Sequence, residues 1–464
     1  MKIGLINPNK VIKYPGIHIG LGYLASYAMK QDDTIQFQLL DTRIDSTKEQ
    51  ENFLNTKFDI LGITATSQVF DEALEISSDY KSKFPDVPIC IGGAHVSTVK
   101  SDVLKHKPFD FAISGEGEET FYELIKHVKG EYDINLITGL FYRNQLSKIV
   151  ANPARAVIQN IDEIPFPAFE IFKINKYPQH RLTTSRGCPF NCVFCNSRSI
   201  WTNKWRKRSA QNIIDEITFL INKYGNKPFV FNDDSFNIDL KRVHEFCDKL
   251  IATKLNPIWS TSIRVDRIDE EIAKKMKASG CYCVSIGIES ANNDVLKLMS
   301  KHITKEKIYD GIQLLRRTGI DVTGQFMIGN PGDTLETIKE SIDFANNSNL
   351  SSVEFYTALP YPDSDLYTFV MEHGKMLTDV DCSQYHKINP RVVYETPEFP
   401  YDDKIKAINL AIEAGYYHAL LTDKKNWLFD TAKDFTKLVL KITGPKLGNN
   451  IYLFLRKIYN TSKK

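Results

Sequence analysis

Three cysteines lie close together near the middle of the chain, at Cys188, Cys192 and Cys195. Three thiolates at C-x3-C-x2-C spacing can bind one cubane iron-sulfur cluster and leave its fourth iron open, which distinguishes a catalytic cluster from a sealed electron carrier. Two other interpretations are a structural zinc site that still needs a distant fourth ligand, and three ordinary core cysteines. Eight cysteines in 464 residues are not a disulfide scaffold, and their clustering favours metal binding.

The segment 185–195 resembles the signature loop of the radical S-adenosylmethionine (SAM) superfamily, in which an aromatic residue precedes the last cysteine, as Phe194 does here. The resemblance implies that the three cysteines bind a four-iron four-sulfur cluster. It also implies that the open iron chelates the methionine part of SAM. An electron from the cluster then breaks the sulfonium bond and gives a 5′-deoxyadenosyl radical.

Polar residues follow the predicted strands after the cysteines, and the same resemblance gives them roles around SAM. Asp233 and Asp234 correspond to residues that help to position the methionine amino group, although the commoner form there is Gly-Gly-Glu. Ser262 and Arg264 match positions that contact the ribose or the carboxylate of the cofactor, and Glu289 ends the fourth strand in a familiar pattern. Each of these side chains can equally satisfy buried backbone groups or form a plain ion pair.

The elements that must position these residues form two series of alternating strands and helices, so the fold class is α/β. The first series predicts a doubly wound, Rossmann-like sheet, with strands at 2–9, 35–41, 58–65, 88–95 and 109–115. The second predicts a partial (β/α)6 barrel of the TIM type, with strands at 181–187, 228–234, 258–264, 282–290, 321–329 and 352–360. Functional residues of such a barrel lie at the carboxyl ends of its strands.

Four regions follow from this pattern. The Rossmann-like domain is predicted over 1–150. Prolines at positions 165 and 167 disfavour helix at the residues before them and indicate an extended linker over 151–178. The barrel is predicted over 179–384, and a mainly helical carboxyl-terminal region over 385–464.

The order of a doubly wound domain, a PFPAF linker and a cysteine loop resembles the cobalamin-binding branch of the radical SAM superfamily. The resemblance implies that cobalamin binds at the turns after the fourth and fifth strands. The residues that match these turns are Gly92, Gly93, Gly115, Glu116 and Gly117.

No histidine before the linker belongs to the D-x-H-x-x-G pattern that places a histidine beneath cobalt in free-standing cobalamin domains. His18 and His95 are therefore expected to be structural hydrogen-bonding residues. The missing motif is compatible with cobalamin held without its lower base, and equally with a domain that has lost cobalamin. No G-x-G-x-x-G follows the first strand, so a dinucleotide is disfavoured.

Charge and hydropathy exclude several classes of partner. The 59 basic and 57 acidic residues give a net charge of +2, which does not indicate nucleic-acid binding. No apolar run approaches the roughly 18 residues of a membrane span or resembles a signal peptide, so a cytoplasmic location is predicted. The basic and apolar tail, 437–464, could touch a membrane or a lipid-like substrate, but docking on its own domain is the commoner use.

The predicted function is methylation of an unactivated carbon in a small-molecule or lipid-like biosynthetic intermediate, by a cobalamin-dependent radical SAM enzyme. The family resemblance implies 4Fe-4S, SAM and cobalamin as cofactors and a reductase such as flavodoxin or ferredoxin as electron donor. An enzymatic alternative from the same branch is radical cyclisation or rearrangement. An alternative of another class is a non-catalytic iron-sulfur or cobalamin carrier protein.

Overall fold

The computed structural model describes residues 1–10, 16–388 and 391–417, which belong to one compact unit. None of the helices in these ranges is both long enough and apolar enough to cross a membrane. The tail at 437–464 lies outside the described residues, as does most of the region 385–464 that is predicted to be mainly helical.

The amino-terminal part is a seven-stranded sheet with helices between its parallel strands. The strands are β1 (Lys2–Asn7), β2 (Gln36–Asp41), β3 (Ile60–Thr64), β4 (Ile89–Gly92), β5 (Phe111–Ile113), β6 (Leu140–Arg143) and β7 (Ile149–Ala151). The helices are α1 (Ile19–Gln31), α2 (Thr47–Leu54), α3 (Phe70–Lys83), α4 (Ala94–Val99) and α5 (Glu118–Val128). The strand order β2-β1-β3-β4-β5-β6-β7 confirms the predicted doubly wound topology.

Burial explains why this sheet has a parallel centre and an antiparallel edge. The central strand β3 is buried along its whole length, because helices cover both faces of a parallel sheet. The edge strands β6 and β7 instead form an antiparallel hairpin on β5, and β6 alternates between buried and half-buried residues. The first five strands therefore end on one edge of the sheet, where α4 and α5 begin.

The second part is an open, fully parallel sheet of six strands in the order β15-β14-β13-β12-β11-β8. The strands are β8 (His180–Leu182), β11 (Phe229–Phe231), β12 (Trp259–Ile263), β13 (Cys281–Glu289), β14 (Asp321–Ile328) and β15 (Ser352–Thr357). The helices between them are α7 (Ala210–Tyr224), α8 (Leu240–Thr253), α9 (Glu270–Ala278), α10 (Asn293–Leu298), α11 (Lys305–Arg317) and α12 (Leu335–Asn347). This arrangement confirms the partial barrel.

The strand predicted at 181–187 is split in the structure. Barrel strand β8 ends at Leu182, and β9 (Ser185–Arg186) pairs instead with β10 (Arg206–Lys207) in a separate antiparallel sheet of two strands. The split arises because the backbone N–H of Thr184 donates to the buried carboxylate of Asp233 at 2.7 Å and leaves the barrel ladder. Between β9 and β10 lies the short helix α6 (Ser197–Trp201).

The last described elements cover the carboxyl edge of the barrel sheet near β14 and β15. They are α13 (Asp365–His373), β16 (Lys375–Met376), β17 (Tyr394–Glu395) and α14 (Tyr401–Glu413). Thr334 caps α12 with its side chain, while the neighbouring Asp333 accepts the backbone N–H groups of Gly329 and Asn330. The turn after β14 is therefore held by its own polar side chains.

A buried aromatic cluster fixes α8 against β11 and β12. Phe231, Phe236 and Phe246 each lie 5.1–5.7 Å, between ring centroids, from Trp259. The indole N–H of Trp259 donates to the carbonyl of Ser279 at 3.0 Å, so the large ring is buried without an unpaired polar group.

Replacing Phe246 by Ala is expected to lower the free energy of unfolding by about 3–5 kcal/mol, because a ring is removed from a closed aromatic core. The measurement is urea unfolding followed by tryptophan fluorescence. The control is Ile258→Ala, next to Trp259 in sequence but 50% exposed, for which a change within about 0.5 kcal/mol is expected. Equal losses in the two variants would contradict this account of the core.

Candidate functional site

The cysteine loop, residues 187–205 between β9 and β10, carries all three predicted cluster ligands. It is anchored at Val193, whose N–H donates to the carbonyl of Met299 at 3.2 Å and whose carbonyl accepts from Leu366 at 2.8 Å. These partners follow β13 and β15, so the loop is fastened over the carboxyl edge of the barrel sheet. A turn closed by the hydrogen bond from Cys195 N–H to the Cys192 carbonyl, 3.0 Å, shapes the end of the motif.

The three thiols are free and partly buried. Burial raises the pKa of each, that of Cys195 to about 11, and the thiols also act electrostatically on one another. Arg264 and Lys301 oppose this shift at Cys192, because cations favour a thiolate. Buried thiols that need positive charge to ionise fit a set of ligands for a cationic metal cluster.

Within the described residues, no three His, Cys, Asp or Glu side chains already converge as a preformed metal site. The three thiols nevertheless share one short loop and lie close enough to act electrostatically on one another. The donor set therefore fits the predicted 4Fe-4S cluster by its chemistry and its place on the barrel edge.

Phe194 lies beside the last cysteine and packs against a buried apolar group at the carboxyl edge of the barrel. That group includes Ala358, Leu366 and Tyr394. The aromatic position of the motif therefore packs one side of the cysteine loop onto an apolar surface.

Asp233 and Asp234 are adjacent in sequence but have different surroundings. The Asp233 carboxylate is fully buried and accepts from the Thr184 N–H, the Thr184 hydroxyl and the Ser185 hydroxyl. Asp234, which is exposed, accepts from the Ser197 hydroxyl at 2.5 Å. Its charge also acts on the thiols of the cysteine loop. Asp233 thus supports the start of the loop, whereas Asp234 borders the thiols.

Arg264 follows β12 and lies against the cysteine loop. Its guanidinium stacks on the ring of Phe190 at 3.9 Å, pairs with Asp266 at 3.0 Å and donates to the carbonyl of Lys301. These contacts hold a cation beside the thiols. Ser262 lies on β12 in register with Ser285 of β13, on the half-buried face of the sheet.

Glu289 ends β13 with a backbone φ of 67°, an unusual value for a residue other than glycine, at a bulge in its pairing with β14. Its carboxylate binds the ammonium of Lys301 at 2.9 Å. Burial lowers the pKa of Lys301, but the charge of Glu289 acts in the opposite direction, and the net effect is a raised pKa. The strained residue therefore keeps a buried cation beside Cys192.

The glycine turns, residues 92–93 and 115–117, lie at the ends of β4 and β5 as predicted. Gly93 has φ 99°, and a Cβ there would lie 2.6 Å from the Thr64 hydroxyl, so only glycine fits. Gly115 also has a positive φ, 78°, and faces the cysteine loop, because a Cβ there would lie 3.6 Å from the carbonyl of Ile200. These turns leave backbone accessible next to the loop that carries the cysteines.

His18, which is half-buried, and His95, which is buried, both have hydrogen-bonding roles. His18 caps α1 by accepting the N–H of Leu21, and its other nitrogen contacts the Thr64 hydroxyl at 3.3 Å. His95 contacts the Ser67 hydroxyl at 3.0 Å and packs on the ring of Phe70. Both arrangements agree with the structural role predicted for these residues.

Sequence reasoning missed a buried ionic group that we call the glutamate–arginine cluster: Glu116, Glu118, Arg186 and Arg206. Its ion pairs are 2.6 Å long and join the glycine turn at 115–117 to both ends of the cysteine loop. The one sequence signal was that Arg186 lies two residues before Cys188 and Glu116 lies inside a glycine turn. The carboxylate of Glu116, predicted to bind cofactor, is engaged in this cluster.

Replacing Gly187 by Ala is expected to displace the cysteine loop. Gly187 has φ 82°, and a Cβ there would overlap the carbonyl oxygen of Lys204. The measurement is iron and sulfide content after anaerobic reconstitution, for which we expect a loss of more than half. The control is Gly225→Ala, at a similar φ of 86° with no atom within 4 Å of the added Cβ, so that only the backbone cost of about 1–3 kcal/mol applies. Equal iron content in both variants would contradict a tight turn before Cys188.

Acid is expected to destabilise the amino-terminal part through His95, whose pKa is lowered by burial from 6.5 to about 4. As the pH falls below 6.5, the His95 imidazole takes up a proton in the unfolded chain but stays neutral in the folded protein until about pH 4. The free energy of unfolding therefore decreases as the pH falls from 6.5 to about 4. The loss is at most about 3 kcal/mol. The measurement compares thermal unfolding midpoints at pH 7.5 and 5 for wild type, His95→Asn and the exposed control His373→Asn. Only His95→Asn should have a shallower pH dependence, and identical slopes would refute the assignment.

Comparison with known proteins matches both parts of the chain to families. Residues 182–345 match the model of the radical SAM superfamily, and residues 9–125 match the B12 binding domain. An uncharacterised methyltransferase of Pyrococcus horikoshii is 33% identical over 84% of this chain and 87% of its own length. The anaerobic magnesium-protoporphyrin IX monomethyl ester cyclase of Rubrivivax gelatinosus is 30% identical over 80% of this chain and 68% of its own.

Solved structures agree in fold. The cobalamin-dependent SAM radical enzyme OxsB, with aqua-cobalamin and SAM bound, has a TM-score of 0.73 at 17% identity and covers 99% of this chain and 75% of its own. The radical SAM methyltransferase TsrM of Kitasatospora setae, with cobalamin and cluster bound, has a TM-score of 0.69 at 19% identity over 82% and 81%. The predicted 4Fe-4S, SAM and cobalamin cofactors are confirmed at the level of the family. The chain belongs to the radical SAM enzymes that carry an amino-terminal cobalamin-binding domain.

Proposed function

We propose that this protein is a cobalamin-dependent radical SAM methyltransferase that methylates an unactivated carbon of a small-molecule biosynthetic intermediate. The observation that carries the proposal is the direct contact between the glycine turns of the amino-terminal sheet and the cysteine loop. Besides the glutamate–arginine cluster, Asn196 in the loop donates to the Thr98 hydroxyl of α4 at 3.3 Å. Groups held at these two places lie on one shared face of the molecule.

When bound, the cluster supplies the electron that cleaves SAM, and cobalamin supplies a methyl group that can be transferred. The protein's own contribution is to hold and orient these groups and to keep water out. Cys188, Cys192 and Cys195 would hold the cluster, with Arg264 and Lys301 offsetting negative charge beside them. Phe194 closes the apolar side.

The residues proposed to contact SAM differ in how freely their side chains face the thiols. Asp234, Ser262 and Arg264 border the loop or line the half-buried face of the sheet. Asp233 is proposed to act through the loop, because its carboxylate already accepts three hydrogen bonds. At the amino-terminal turns, Gly92, Gly93, Gly115 and Gly117 are proposed to admit cobalamin by close backbone approach, while Glu116 supports that turn from behind.

The methyltransferase relative of Pyrococcus horikoshii supports methyl transfer over nearly the whole length of both chains. The cyclase relative of Rubrivivax gelatinosus favours a second candidate function, radical cyclisation, on the same cofactors. Membership of an enzyme family argues against a carrier protein. The proposal further includes a cytoplasmic location and a flavodoxin- or ferredoxin-type electron donor. The proposed domains are a cobalamin-binding domain over 1–150, a linker over 151–178, a barrel over 179–384 and a carboxyl-terminal region over 385–464.

The test is anaerobic reconstitution with iron, sulfide and hydroxocobalamin, followed by quantification of adenosine products formed from SAM under dithionite. We expect retained cobalamin and 5′-deoxyadenosine from wild type, and at least about a hundredfold less from the variant in which all three loop cysteines are Ala. Cys283→Ala, which removes a partly buried thiol from β13, is the matched control and should keep activity.

The products separate the candidate functions. S-adenosylhomocysteine formed together with 5′-deoxyadenosine supports methyl transfer, whereas 5′-deoxyadenosine alone, with cobalamin retained, would favour cyclisation or rearrangement. Cleavage of SAM by protein that retains no cobalamin would contradict methyl transfer from methylcobalamin. An intact cluster that does not cleave SAM would restore the carrier interpretation.

A further inference from the structure

Among the described residues, the glutamate–arginine cluster is a deeply buried ionic group that joins the two parts of the chain. Arg186 binds Glu116 and Glu118, each at 2.6 Å, and Arg206 binds the second oxygen of Glu116 at 2.6 Å. All four side chains are 2–6% exposed. The N–H of Ile158 also donates to Glu116, at 2.7 Å, so one carboxylate accepts from three separate segments.

Glu116 resolves a charge conflict at the base of the cysteine loop. Arg186 and Arg206 lie directly opposite each other in the pairing of β9 with β10. Like charges in such a pair repel, and burial makes the repulsion stronger. The Glu116 carboxylate takes one guanidinium on each oxygen, so it neutralises the pair and also ties both strands to the amino-terminal sheet.

Aromatic rings complete the enclosure from both sides. The Arg186 guanidinium lies 5.0 Å from the ring of Tyr23 in α1 and 5.7 Å from that of Trp201 in α6. Arg206 lies 5.9 Å from the same Trp201 ring. The cluster is thus covered by the Tyr23 ring of the amino-terminal part and by the Trp201 ring of the cysteine loop.

The cluster is built for position more than for stability. Two nitrogens of Arg206, Nε and Nη2, are buried without a hydrogen-bond partner. Buried ion pairs generally add little net stability, since desolvation offsets their attraction. What this one adds is a fixed geometry: it grips the residues on either side of the loop, with Arg186 separated from Cys188 only by Gly187.

We propose that Glu116 is a positioning residue which, through Arg186 and Arg206, holds the cysteine loop against the glycine turn at 115–117. The position of the three cluster ligands is then set by the amino-terminal sheet and not by the barrel alone. This inference rests on the proposed function for its catalytic meaning, but the contacts of Glu116 with Arg186 and Arg206 are a property of the protein without cofactors.

The test is hydrogen exchange of the full-length protein without cofactors, read on peptides that span 187–205. In Glu116→Gln, these amides should exchange at least about tenfold faster than in wild type, because two buried guanidiniums lose their shared partner. Exchange in α9, which lies outside the cysteine loop and its anchoring residues, should not change. The matched control is Glu123→Gln on α5, whose carboxylate pairs with Arg155 inside the amino-terminal part. It should leave the cysteine loop unchanged.

A second readout uses the reconstituted protein. Glu116→Gln should form 5′-deoxyadenosine about tenfold more slowly per bound cluster than Glu123→Gln does. If Glu116→Gln does not fold, Glu118→Gln, which removes only one pair with Arg186, is measured in the same way.

Unchanged exchange over 187–205 would overturn the proposal, and so would a uniform rise over the whole protein, which would assign the cluster to general stability. Failure of wild type to cleave SAM would count against the proposed function only. The exchange result would still show whether Glu116 holds the cysteine loop in place.

Discussion

The carboxylate of Asp233 is the buried charge on which the cysteine loop depends. It lies at the end of β11 and accepts from the backbone and hydroxyl of Thr184 and from the hydroxyl of Ser185. Arg242 lies 3.9 Å away and donates to the Thr184 carbonyl at 2.7 Å. A buried charge is tolerated only when it is paired and hydrogen-bonded. This arrangement therefore leaves β8 one way to continue, which is out of the barrel and into β9.

Where the chain leaves the barrel at β9, it meets a second group of buried charges, the glutamate–arginine cluster. Arg186 and Arg206 flank the loop and find their partners on the amino-terminal sheet, at Glu116 and Glu118. The loop is thus fastened at its base by polar contacts to both sheets, and along its length by Val193 to the segments after β13 and β15.

The cations beside the three thiols are also held by paired acidic residues. Burial alone would keep the thiols protonated, as the raised pKa of Cys195 shows. Arg264 and Lys301 oppose this effect, and each is itself held by an acidic residue, Asp266 and Glu289 respectively. The cations therefore stay beside the loop although they lie at the edge of an apolar barrel. The region that borders the thiols is ionic, while Phe194 closes its other side with apolar surface.

Several features followed from the sequence because they depend on neighbours along the chain. Apolar runs ending in small residues predicted the strands of both sheets. The spacing of Cys188, Cys192 and Cys195 predicted a cluster-binding loop, since three thiolates so close together can reach one cubane. The different tasks of Asp233 and Asp234 could not be read in this way. Adjacent residues at a strand end point in different directions, and their partners lie 49 and 37 residues away.

Glu116 shows most clearly where the sequence alone stops. Its glycine neighbours marked a turn, and that turn is where the sequence placed it. Its partners Arg186 and Arg206 are 70 and 90 residues further along the chain. No local pattern records a contact at such a separation, because it exists only once two sheets have packed together. The sequence by itself determined the order of the two sheets along the chain and predicted which groups carry chemistry. The tertiary structure decided which charges meet, because burial makes every polar group find a partner wherever in the chain that partner lies.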